Sequence, residues 1–389
     1  MKKKNKNKKK TKKNGRYLML LFCLLMGAAC GFSIRAVMDT IFKTSWSEKE
    51  YIYLLALTVI AVYIALMTQI FLHEAGHFIF GHLTGYRFLS FHIGTCIWVK
   101  VYGHLMYMKT PGLRTSAQCL MSPPPMKDGK MPFVLYHLGG SIMNMVCGIF
   151  AFWGYYSYRE VSFLAVSFLI MGIMGVGTAL LNGVPMRFGK VDNDGYNALL
   201  LSQSPSALCA LWTQMKGNEM LTKGYQFKDL PSEWFVFPEE EELKNSIMTD
   251  MAIFCESYLM DIHRFDKAAE MIDRLETMDT AIDKMQRAFL TCDRLYCALI
   301  LDQDKEIVER LVTKRLLKFF EWKYQNLSVF RTLHIYNLFC KNDEVKARMT
   351  ELLFELNADI YPYISDVESE MELIELAGTK FKESRPPGE

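Results

Sequence analysis

Phe71-Leu72-His73-Glu74-Ala75-Gly76-His77-Phe78-Ile79-Phe80 closes an apolar run that begins at Tyr51. Residues Tyr51–Leu72 carry no charge, and roughly 20 helical residues cross a bilayer core of about 30 Å. The stretch therefore reads as a membrane span with a polar end. Residues four apart share one helix face, so His73 and His77 present two ring nitrogens to a single ion. Glu74 points to the neighbouring face of the same turn, where it accepts a proton from water activated by that ion. Zinc takes this arrangement: neutral nitrogen ligands, one further protein ligand and an open position. The bland alternative is a polar helix end whose histidines reach the headgroups. Against it, ionisable groups placed in a span are costly and functional by default.

Outward from this motif, four segments are long and apolar enough to span: Tyr17–Ile34, Tyr51–Leu72 with an extension to about Phe80, Phe133–Tyr158 and Val161–Met186. The first follows MKKKNKNKKKTKKNGR, a lysine-rich start that holds the N-terminus in the cytoplasm and touches anionic lipid. A signal peptide ending near the small residues 27–30 is the competing reading of this segment. The connection 84–131 carries Arg87, Lys100, Lys109, Arg114, Lys127 and Lys130 and also falls inside. The net charge of +3 sits mostly in the first sixteen residues, so no general basic surface for nucleic acid is expected. Ten scattered cysteines without a CxxC pair fit a reducing compartment rather than a disulfide framework.

Two later motifs extend the pattern. Gly139-Gly140-Ser141-Ile142-Met143-Asn144 lies on the third span, and Asn182-Gly183-Val184-Pro185 is followed by Val191-Asp192-Asn193-Asp194-Gly195. Together with HEAGH, over about residues 50–200, they resemble the site-2 protease family of intramembrane zinc metalloproteases. The resemblance implies that Asp194 is the third zinc ligand and that Glu74 is the catalytic base. It also implies that Asn144, Asn182 and Gly140 support the site or the substrate backbone. Ser141 stands where the family has proline, and Met186–Asn193 separate the two halves of the last motif. Asp192 is therefore a competing ligand, and either aspartate could simply cap the helix starting near Gly195. His82 follows His77 by five residues, about 140° around a helix, and does not share the ligand face unless the helix bends at Gly81. His92, His104 and His137 read as packing or interfacial residues.

Between the second and third spans, residues 86–109 alternate in IWVKVY and LMYMK and predict a small β-hairpin element. Its edge is suited to pairing with an extended substrate; an interfacial loop with aromatic anchors is the plainer alternative. From about Glu239 the chain turns helical, with Tyr258, Tyr296 and Tyr336 each followed by an Asp (Asp266, Asp304, Asp343). Helices over 246–264, 265–276, 285–302, 304–320, 327–341 and 343–356 would stack as hairpins similar to degenerate tetratricopeptide repeats. Residues from Asn357 read as a capping segment and Lys382–Glu389 as a loose tail.

The expected architecture is an all-α polytopic membrane protein of about four spans with a small β-hairpin, plus a soluble α-helical-repeat domain. Its divisions are a basic cytosolic tail (1–16), a transmembrane core (17–200), a linker (201–240) and a cytosolic helical-hairpin domain (241–389). The expected activity is an intramembrane zinc endopeptidase acting on a membrane-inserted peptide or protein near the cytoplasmic side. Its ligands are the lipid bilayer, Zn2+ and a cytosolic protein partner of the C-terminal repeats. The expected location is the plasma membrane of a bacterium, with both termini cytoplasmic. Two alternatives stand beside it: a membrane zinc protease with a Glu third ligand, and a non-catalytic scaffold or receptor.

Overall fold

The computed structural model describes residues 47–109, 115–159, 162–188, 190–323 and 325–384, with isolated positions between 28 and 35. The chain packs as two compact units, each described by itself. Unit 1 comprises residues up to Arg87 together with Pro124–Pro205. Its helices are α1 (Glu48–Leu83), α2 (Val134–Ser157) and α3 (Ser162–Gly183), followed by α4 (Asp194–Gln203). Within the first three, Ala56–Leu83, Val134–Ser157 and Leu164–Gly183 are long and apolar enough to cross a membrane. Three of the four expected spans are thus helices of spanning length. The other, Tyr17–Ile34, lies outside the described residues apart from a few positions.

α1 runs unbroken through HEAGH because nothing in its 36 residues breaks a helix: no proline occurs, and Gly76 and Gly81 are isolated. It ends where the Tyr86 N–H bonds the Gly81 carbonyl and the Gly85 N–H bonds that of His82. Gly85 takes φ +90°, the left-handed conformation that closes such a cap without a Cβ penalty. α3 stops at Gly183, two residues before Pro185, which cannot continue a helix. Strands β5 (Arg187–Phe188) and β6 (Val191–Asp192) then form a minimal hairpin that turns the chain into α4.

Unit 2 comprises Phe88–Pro123 and Ser206–Glu389. The small β-hairpin expected from the sequence is in fact a four-stranded sheet. Strands β1 (Arg87–Gly94), β2 (Cys96–Val101), β3 (His104–Lys109) and β4 (Thr115–Ser122) lie in the order β3-β2-β1-β4. β1, β2 and β3 pair antiparallel, with Phe91 opposite Trp98 and Val99 opposite Met106. The alternation of β2 buries Ile97, Val99 and Val101 on one face, with Tyr363 packed against them. β4 reads TSAQCLMS, with no alternation to betray it, and is a strand because β1 offers it an edge.

The remainder of unit 2 is helical: α5 (Pro205–Leu221), α6 (Ser246–Asp261), α7 (Phe265–Thr277), α8 (Lys284–Ile300), α9 (Lys305–Leu311), α10 (Lys314–Trp322), α11 (Leu327–Phe339), α12 (Glu344–Ala358) and α13 (Ile364–Glu383). Stretch 201–240, expected as a linker, contains α5, whose Ala207 and Leu208 are buried. The helix expected over 304–320 is two, because Thr313 leaves the helix and caps α10 by accepting the Leu316 N–H. α13, in the stretch expected as a cap, is part of the core: Leu373 and Ala377 join the cluster of Leu295, Tyr296 and Val329, and the Tyr296 hydroxyl donates to the Leu373 carbonyl at 2.8 Å. The cysteines are unpaired among the described residues, and Cys255, Cys292 and Cys297 pack as small hydrophobes.

Candidate metal centre

The site of unit 1 is built on α1. Gln69, His73 and His77 recur every four residues and so form one row on the helix face. The His77 ring donates from Nδ1 to the Tyr136 carbonyl of α2 at 2.7 Å. That bond fixes the ring and leaves Nε2 without a proton when the imidazole is neutral. Nε2 of His77 then lies 3.2 Å from Nε2 of His73, with the two rings edge-on.

The third side chain arrives from far along the sequence. Asp194 Oδ2 stands 3.0 Å from His73 Nε2 and 3.5 Å from His77 Nε2. Among the described residues these three form the one group of histidine, cysteine or carboxylate side chains close enough to share an ion. Burial pushes the Asp194 carboxyl up, but hydrogen bonds and charge from the two imidazoles outweigh it and hold the group well below the usual carboxylate range. Asp192, its competitor in the sequence, is committed elsewhere. Its two oxygens bind Nε and Nη2 of Arg187 in a bidentate pair across the β5–β6 hairpin.

Local packing explains the glycines of both later motifs. A Cβ on Gly140 would lie 2.5 Å from the His73 ring, so only glycine lets α2 pass under that imidazole. Gly76 and Gly139 are equally close: a Cβ on Gly76 would meet the Gly139 carbonyl oxygen at 2.3 Å. Gly195, following Asp194, lies against the end of α3.

Of the expected supporting residues, Asn144 lies beside His73, while the hydrogen bond of Asn182 runs to its own helix. Asn144 is buried, donates to the Thr178 hydroxyl at 3.0 Å and has its amide nitrogen 3.4 Å from His73 Nδ1. Asn182 bonds back to the Thr178 carbonyl of its own helix. Glu74 is half-buried on the same turn as the two histidines. His82 is exposed and stacks on Phe78, while His92 is buried on β1 and His104 exposed on β3.

Two residues of the site went unrecognised in the sequence. Asn193 caps α4 by accepting the Tyr196 N–H, also accepts that of Met186, and donates to the carbonyls of Leu181 and Val184. It thereby ties the unravelled end of α3 to the helix bearing Asp194; its place before an Asp-Gly pair was the available signal. Gln69 is fully buried and bonds Met171 of α3. Its spacing of four from His73 could have marked it.

Comparison with known protein families, characterised proteins and solved structures returns no match for this chain.

Proposed function

We propose that unit 1 is an intramembrane zinc endopeptidase of the site-2 protease kind. One observation carries the reading: three ligand atoms from residues up to 121 positions apart converge at 3.0, 3.2 and 3.5 Å. A tetrahedral zinc with bonds of about 2.0–2.1 Å needs ligand atoms about 3.3 Å apart, so the donor set fits the ion in type and in spacing. His73, His77 and Asp194 would hold it, and it would supply Lewis acidity toward water and toward a peptide carbonyl.

The chain's own residues do the rest. Glu74 takes the proton of the attacking water and returns it to the leaving amine. Tyr136 fixes the His77 tautomer through its carbonyl. His73 offers Nε2 when its Nδ1 carries the proton, and the Asn144 amide nitrogen stands 3.4 Å from that Nδ1, where it packs against the ring on the side away from the ligand nitrogen. The apolar character of α1, α2 and α3 suits a substrate presented within a bilayer, such as a single-span protein or a membrane-inserted peptide.

The test is metal content joined to cleavage. Purified protein should carry about one zinc per chain, lost on His73→Ala or Asp194→Ala. Glu74→Gln should keep the metal, abolish cleavage and retain uncut substrates, which mass spectrometry would identify. Full cleavage by Glu74→Gln would exclude it as the base, and a metal-free wild-type protein that still binds partners would favour the scaffold alternative.

A further inference from the structure

Unit 2 contains a cleft of about 1220 Å³ between α7, α8, α9 and α10. It exceeds the roughly 300–1,000 Å³ of sites for drug-sized ligands. Its floor is apolar, with Leu311, Leu316, Phe319 and Met285, and Trp322 stands at the rim with 65% of its surface exposed.

The charge of this cleft is one-sided. Asp273, Glu276 and Asp283 are its carboxylates, and each is already engaged. Asp273 forms a bidentate pair with Arg294 at 2.9 and 3.0 Å. Glu276 pairs with Arg287. Asp283 accepts the N–H groups of Met285 and Gln286 as the cap of α8. Four further cations line the cleft: Lys284, Arg310, Arg315 and Lys318. All four side chains are exposed, and none has an ion-pair or hydrogen-bond partner among the described residues. A concave wall of one sign concentrates its field, whereas the same charges on a convex face would be dispersed by solvent and salt.

We infer that this cleft binds an acidic polypeptide segment of a partner protein, one whose carboxylates alternate with aromatic or aliphatic side chains. The carboxylates meet the four unpaired cations, and the apolar residues meet the floor and the indole of Trp322. Arginine and tryptophan around an apolar centre are the composition of a protein-binding hot spot. A flat anionic bilayer cannot enter a cleft to reach Leu316 and Phe319, and a floor of Leu311, Leu316 and Met285 around the buried Phe319 ring offers no succession of aromatic faces on which nucleic-acid bases would stack. The inference does not depend on the metal centre of unit 1.

The experiment uses the full chain in neutral detergent micelles and a fluorescein-labelled peptide of repeated Glu-Glu-Phe-Leu blocks, read by fluorescence anisotropy. Saturable binding is expected, weakening as salt is raised and absent from a Lys-Lys-Phe-Leu counterpart. Replacing Lys284, Arg310, Arg315 and Lys318 together by Glu should weaken it by about tenfold or more, the combined effect of four screened ion pairs. If that variant misfolds by circular dichroism, the corresponding Gln variant takes its place, with the same loss expected. Trp322→Ala should weaken binding at every salt concentration. The inference is overturned by an absence of saturable binding, by equal affinity in the charge variants, or by equal affinity for the lysine peptide. It is equally overturned if the four cations instead bind phosphatidylserine-containing vesicles or a second copy of the chain while the acidic peptide is ignored.

Discussion

Gly195 packs so closely on Gly183 that a Cβ at position 195 would stand 2.2 Å from the Gly183 carbonyl oxygen. This contact holds the start of α4 against the end of α3 and so sets where Asp194 points. An Asp-Gly pair fits here because the carboxylate that meets the histidines and the closest backbone approach fall on consecutive residues.

Gly195→Ala should therefore push α4 away from α3 and carry Asp194 from the histidines. The expected cost is about 1–3 kcal/mol of overpacking, with metal affinity lowered by about 10–100-fold, as for other residues that orient ligands. Metal titration of the purified variant, alongside a circular dichroism spectrum showing intact helices, checks it. An unchanged affinity would mean that the contact does not position the carboxylate.

The two aspartates flanking Asn193 should separate cleanly. Asp194→Asn should lose bound zinc, because the carboxylate beside His73 and His77 is gone. Asp192→Asn breaks the Arg187 pair in the hairpin and should retain zinc at the wild-type ratio of about one per chain. Elemental analysis of both proteins decides between them, and the reverse result would exchange their roles.

Asn144→Leu removes the one side-chain amide facing His73 Nδ1. Zinc should dissociate about 10–100-fold more readily, while Asn182→Ala, whose side chain serves its own helix, should have little effect. Competition with a fluorescent chelator measures both. Equal losses from the two variants would show that general damage to the helices, and not ring orientation, governs affinity.

The helical part of unit 2 should lose stability as pH rises through neutrality. Burial raises the Glu370 and Asp366 carboxyls to about 7 from ordinary values of 4.5 and 3.8; nearby Asp293 and Asp261 add to it and Arg331 opposes it at Glu370. Glu256 is raised as well, again chiefly by burial. Between about pH 4.5 and 7 the folded state thus holds protons that the unfolded chain has released. The stabilisation is complete below the unfolded values and falls by up to about 1.4 kcal/mol per pH unit for each such group as pH climbs. Glu219 acts in the opposite sense: despite its burial, Lys216, Lys223 and Ser122 hold it at about 2, so its contribution is lost only on acidification below 4.5. Thermal unfolding followed at pH 5, 6, 7 and 8 should show a declining midpoint, and a midpoint rising over that interval would contradict the assignment of these carboxyls.

Much of unit 1 was legible because membrane helices advertise themselves. Tyr51–Leu72, Phe133–Tyr158 and Val161–Met186 are uncharged, mostly apolar runs, and α1, α2 and α3 contain nearly all of their residues. His73 and His77 were readable as a pair because a helix brings residues four apart together whatever surrounds it. The β4 strand and the break at Thr313 were not, since β4 lacks alternation and Thr313 sits in a continuous amphipathic pattern. In both places the outcome depends on which neighbour accepts the backbone hydrogen bonds, and a local pattern does not record that.

The chain's sequence by itself determined the apolar helices, the imidazole pair on α1 and the carboxylate beside them in Glu74, all consequences of spacing along one helix. Tertiary structure alone decided that Asp194 and not Asp192 meets the histidines, because that choice rests on the Arg187 pair, the Asn193 ties and the Gly195 contact acting across the chain. It also decided which cations around α8, α9 and α10 are left without partners, since pairing depends on the distances between helices and not on the count of charges.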